Sequence, residues 1–157
     1  MRYTQLTKEQ FEELNEEFAL FLATQKIDIA EWEGIKKDRP DMADEELNLF
    51  SDLVWEKVLG KSKYLEHFSK GTINLFKCNE SEILRIVVKS SKENFDFTNK
   101  DNFEWFLDNS QDGGIEYFRG KKKYVKERND EVFDLIQQGS VVCNGDLYKA
   151  ILKIISQ

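Results

Sequence analysis

Thr72-Ile73-Asn74-Leu75-Phe76-Lys77-Cys78, then Asn79-Glu80-Ser81, then Glu82-Ile83-Leu84-Arg85-Ile86-Val87-Val88-Lys89 runs near the middle of the chain. Two short runs rich in β-branched and large apolar residues flank three polar turn formers, which is the pattern of a β-hairpin over about 72–89. In the second run Leu84, Ile86 and Val88 alternate with Ile83, Arg85 and Val87, so both faces of the strand carry apolar residues. A strand of that kind is expected inside a sheet, with cover on both sides.

Upstream of the hairpin the period is helical. Thr7-Lys8-Glu9-Gln10 has the spacing of a capping box, with Leu6 and Phe11 in staple positions. Phe11, Leu14, Phe18, Phe21 and Leu22 then trace one helical face, and Glu12, Glu13, Glu16 and Glu17 fall mostly on the opposite one. Asp28 caps a second helix, flanked by Ile27 and Trp32, and Pro40 opens a third that stops at Gly60. Between the helices and the hairpin, Tyr64 to Phe68 is a further strand candidate.

Downstream, Thr98 or Asn99 caps a helix carrying Phe103, Phe106 and Leu107, and a strand is expected near 115–118. Helices over roughly Asp130–Gln138 and Asp146–Ile155 close the chain. The expected class is α+β: a helical N-terminal third, a small mainly antiparallel sheet and C-terminal helices. A length of 157 residues fits a single domain over 1–157, with a helical part at 7–60 and a mixed α/β part at 61–157.

Composition removes several chemistries. The chain has one histidine, His67, one proline, and two cysteines, Cys78 and Cys143, placed far apart. There is no C-x2-C or H-x3-H pair for zinc, no Walker loop, no G-x-G-x-x-G and no G-x-S-x-G. No catalytic residue, metal ligand or cofactor-binding residue is assigned on this basis, and no cofactor is expected. The start of the chain lacks the apolar run of a signal peptide, and no stretch reaches membrane-spanning length, so a cytoplasmic protein with no membrane partner is expected.

Three segments resemble a family of small proteins of unknown function from Bacteroidota. They are Met1-Arg2-Tyr3 with Leu6 to Phe11, Tyr64-Leu65-Glu66-His67-Phe68-Ser69, and Leu135 to Gly139 with Gly145-Asp146-Leu147-Tyr148-Lys149. The resemblance implies a bacterial, cytoplasmic, single-domain protein and brings no activity with it.

Charge separates the candidate surfaces. Residues 1–60 hold fifteen Asp/Glu against seven Lys/Arg, whereas residues 61–157 hold fifteen against sixteen. The acidic helical face at Glu12, Glu13, Glu16 and Glu17 is therefore the partner-binding candidate for the leading reading, a non-enzymatic protein-interaction or regulatory domain. The alternative is a nucleic-acid-associated protein using the basic segment 119–128, in which Arg119, Lys121, Lys122, Lys123, Lys126 and Arg128 neutralise phosphates and Tyr124 stacks. A further alternative is an enzyme whose site is assembled in space around His67. If Tyr64 to Phe68 is a strand, Glu66 and His67 point to opposite faces and form no neighbouring acid/base pair.

Overall fold

The structure, a computed structural model, describes residues 1–156. The chain forms two compact units, Met1–Val58 and Leu59–Gln157. Among the described residues it is an α+β protein of seven helices and five strands.

The first unit is built by caps and aromatics. Helix α1, Lys8–Glu13, starts at a complete capping box: Gln10 N–H donates to Thr7 Oγ1 at 3.2 Å, and Thr7 N–H donates to Gln10 Oε1 at 2.8 Å. The sequence reads as one helix from there to Leu22. Instead the chain breaks at Leu14 and resumes as α2, Asn15–Thr24. Asn15 stands at the break, a residue whose side chain competes with the helical backbone for hydrogen bonds. Helix α3, Ile29–Asp38, is capped by Asp28, which accepts the Glu31 N–H at 2.8 Å, and α4, Pro40–Lys61, begins at the proline. Phe18 packs 5.2 Å from Trp32 and 5.0 Å from Phe50, ring centre to ring centre. The phenylalanine stripe therefore faces α3 and α4, leaving Glu12, Glu13, Glu16 and Glu17 exposed.

The second unit is a five-stranded antiparallel sheet in the order β4-β3-β2-β1-β5. Its strands are β1 Tyr64–Phe68, β2 Thr72–Cys78, β3 Glu82–Ser90, β4 Ile115–Lys123 and β5 Val141–Cys143. The hairpin forms as read, with Leu75 opposite Ile86 and Phe76 opposite Arg85. Alternation along the strands gives two faces. On the first, Ile73, Leu75, Ile86 and Val88 are buried beneath α5, Lys100–Asp108, and α7, Asp146–Ile155, through Phe106, Tyr148 and Ile151. Replacing Ile73 or Ile86 by alanine there should cost about 2–5 kcal/mol of stability. Asn99, not Thr98, caps α5 by accepting the Asn102 N–H at 3.0 Å.

Two elements differ from the sequence reading. The strand expected near 115–118 runs on to Lys123, so Arg119, Gly120, Lys121, Lys122 and Lys123 lie in β4 rather than in a loop. β4 is an edge strand, where lysines hinder pairing with another chain's strand. The short β5 pairs with β1 between α6, Arg128–Gln137, and α7.

Candidate functional site

The second face of the sheet is only partly covered, contrary to the two-sided cover expected for β3. Ile83 on that face is buried, but Arg85 is exposed. The result is a cleft of about 560 Å³ whose floor includes His67, Asn74, Phe76, Ile83, Arg85 and Gly120. Its wall includes Glu131, Asp134 and Leu135 of α6, with Gln138 at the helix C-cap and the buried Ser140 just beyond it.

Strand register arranges the floor. His67 is the cross-strand partner of Asn74, and Arg85 is the partner of Phe76 on one side and of Gly120 on the other. Arg85 reaches diagonally to Asn74, donating from Nε at 3.0 Å and from Nη2 at 2.5 Å to the same Oδ1. Its guanidinium carbon lies 5.7 Å from the Phe76 ring centre, within cation–π range. A Cβ at Gly120 would have nothing within 4 Å, so the position directly opposite Arg85 on β4 is open. Among the described residues no carboxylate pairs with Arg85, and no hydrogen bond or ion pair holds His67. The imidazole is placed by packing instead. Gly139 has φ +114°, and a Cβ there would stand 3.1 Å from His67 Nε2, so the ring lies against the glycine backbone.

The acidic wall is neutralised by Lys122, Lys126 and backbone donors. Glu131 accepts Lys122 Nζ at 3.1 Å, Val125 N–H at 2.7 Å and Lys126 N–H at 3.2 Å. Burial opposes its charge, but the Lys122 ammonium and the two backbone donors prevail and hold the carboxyl below the usual range. Asp134 pairs with Lys126 Nζ at 2.6 Å.

The basic segment does not form one surface. Lys122 lies on the cleft face of β4, whereas Arg119, Lys121 and Lys123 alternate onto the other face. Lys122 and Lys126 each hold a carboxylate. Arg128 donates to the carbonyls of Leu59, Ser62, Cys78 and Asn79 and to Asn129 Oδ1. Tyr124 donates its hydroxyl to the Asn79 carbonyl at 2.8 Å. His67 and Lys122, read separately from the sequence, thus come to one cleft, while Glu12, Glu13, Glu16 and Glu17 belong to the first unit. Arg85 was not singled out by sequence reasoning. The signal for it is a cation set among the apolar residues Ile83, Leu84, Ile86, Val87 and Val88 of β3.

Glu66 points to the face opposite His67, as the strand alternation implies. Cys78 and Cys143 are free thiols. Among the described residues no group of three or more His, Cys, Asp or Glu is placed to hold a metal ion, and no helix is long and apolar enough to cross a membrane.

A model of a family of unknown function, DUF6495, matches residues 1–156. The chain belongs to this family. No curated protein and no solved structure matches it. In this DUF6495 chain the cleft brings His67, Arg85 and Lys122 together on one sheet face.

Proposed function

We propose that this chain is a non-enzymatic binding module whose ligand seats in the cleft between the second sheet face and α6. The observation that carries the reading is the pair Arg85 and His67. Both are fixed in a concave space by neighbours, yet Arg85 lacks a carboxylate and His67 lacks a hydrogen-bond partner among the described residues. His67 is half-buried and Arg85 exposed, and polar groups converging on a concave space with donors to spare are what a bound molecule can engage. Binding is favoured over catalysis because, among the described residues, no carboxylate or hydroxyl is hydrogen-bonded to His67 to orient a proton transfer. A cytoplasmic location suits the two free thiols.

Gly120→Phe tests this directly. Its Cβ meets open space and its φ lies outside the left-handed region, so the ring fills the cleft over Arg85 with the sheet intact. Wild type and variant are used to retain small molecules and proteins from a cell extract. Material held by wild type and lost by a normally folded variant supports the cleft. An identical retained set for both removes it.

A second reading keeps the acidic face of α1 and α2 as a surface for a basic protein partner. It is favoured by the exposure of Glu12, Glu13, Glu16 and Glu17 together, opposite the packed phenylalanines. One-sign patches accelerate association at low ionic strength. Reversing Glu13 and Glu17 to lysine should weaken partner capture while the melting temperature holds. Capture that is unchanged by the reversal leaves the patch as solvation.

A further inference from the structure

We propose that the cleft's ligand is a small organic anion, its carboxylate or phosphoryl oxygens held by Arg85 and its apolar body lying on Phe76 and Leu135. This rests on the reading of the cleft as the binding site and specifies its chemistry.

Arg85 has five N–H donors, and Asn74 Oδ1 engages those at Nε and one at Nη2. The Nη1 edge remains, oriented by the Asn74 contact and by the Phe76 ring. A planar fork of this kind matches the paired oxygens of a carboxylate or phosphate, which a neutral amide reproduces poorly. Gly120 opposite Arg85 leaves the approach open. Two strands across the same face, on β1, His67 presents an imidazole to a second polar group of the ligand.

The two carboxylates in the wall are the objection to an anion, and their partners answer it. Glu131 is engaged by Lys122 and two backbone N–H groups, and Asp134 by Lys126. The guanidinium is thus a cation on the cleft floor with which, among the described residues, no carboxylate is paired; Lys121 of β4 also borders the cleft. Phe76, Ile83 and Leu135 supply the apolar lining. A volume of about 560 Å³ suits a molecule rather than a bare ion, since ligand pockets run to roughly 300–1,000 Å³.

The test is a titration of ¹⁵N-labelled full chain with benzoate, phenyl phosphate and benzamide, read at the backbone amides of Asn74, Gly120 and Ser140. One of the two anions should give saturable shifts there at roughly millimolar concentration, about tenfold tighter than benzamide. The tighter anion identifies the group recognised, carboxylate or phosphoryl. Arg85→Gln should abolish the preference, and because Arg85 is exposed the variant keeps the core intact. Equal binding of benzamide, or a preference surviving in Arg85→Gln, overturns the anion inference while leaving the cleft as a binding site. Shifts from no probe at any of these amides overturn both.

Discussion

Arg128→Ala should destabilise the second unit far more than loss of a surface charge would. The Arg128 guanidinium donates from Nη1 to Leu59 O at 2.8 Å and Asn129 Oδ1 at 2.7 Å, from Nη2 to Ser62 O at 2.5 Å and Cys78 O at 3.2 Å, and from Nε to Asn79 O at 3.2 Å. Four of these acceptors are backbone carbonyls, from the end of α4, the segment leading into β1, and the turn between β2 and β3. One side chain thereby ties three segments to the start of α6. Charge-assisted hydrogen bonds contribute about 1.5–3 kcal/mol each, but several acceptors can recover water in the variant, so the net loss is about 3 kcal/mol. For a chain of this length that lowers the melting temperature by about 10 °C. Arg128→Lys, a point charge without the fork, should recover only part of it. The assay is thermal unfolding by circular dichroism, with urea unfolding to confirm that the slope is unchanged. A fall under about 2 °C in Arg128→Ala would refute the clamp and return Arg128 to the pool of free cations.

Three further outcomes are expected. Burial pushes the Cys78 thiol from 9.0 up to about 11, against the pull of Arg128, so the native state keeps a proton that the unfolded chain has lost. That contribution to stability is complete below about pH 9 and is lost as pH rises through about 11, a decline of roughly 2–3 kcal/mol that urea midpoints should show and Cys78→Ala should flatten. Gly139→Ala places a Cβ 3.1 Å from His67 Nε2 at φ +114°, and should cost about 1–3 kcal/mol while shifting the His67 ring resonances; an unmoved imidazole signal contradicts the packing described. Finally, any affinity for single-stranded nucleic acid should fall steeply with salt and vanish when Lys121, Lys122 and Lys123 become glutamate; binding that persists in the triple variant excludes that segment.

Local features were legible in the sequence because their causes are local. Thr7 with Gln10, Asp28 with Glu31, and the alternation in Glu82–Ser90 each act over a few residues, and each forms as its spacing implies. The far half of β4 was not legible. A glycine followed by three lysines reads as a solvated loop, and only its position at the sheet edge explains why such residues suit a strand. β5 is three residues long, too short to carry a period, and is held by pairing with Tyr64, Leu65 and Glu66. Arg128 looked like a free cation because its acceptors are mainly carbonyls, which residue identity does not reveal, lying some fifty to seventy positions upstream. The cleft was illegible for the same reason: its lining comes from four strands, α6 and the segment just after it. The trace it left was Arg85 amid apolar residues.

Ligand binding at the second sheet face can be read residue by residue in a fragment screen by ¹H–¹⁵N correlation spectroscopy. Hits should converge on the amides of His67, Asn74, Arg85, Gly120 and Ser140 and disappear in Gly120→Phe. Hits that gather instead around Lys92, Asn94 and Trp105, which line the smaller cavity of about 350 Å³, or that survive in Gly120→Phe, would contradict it.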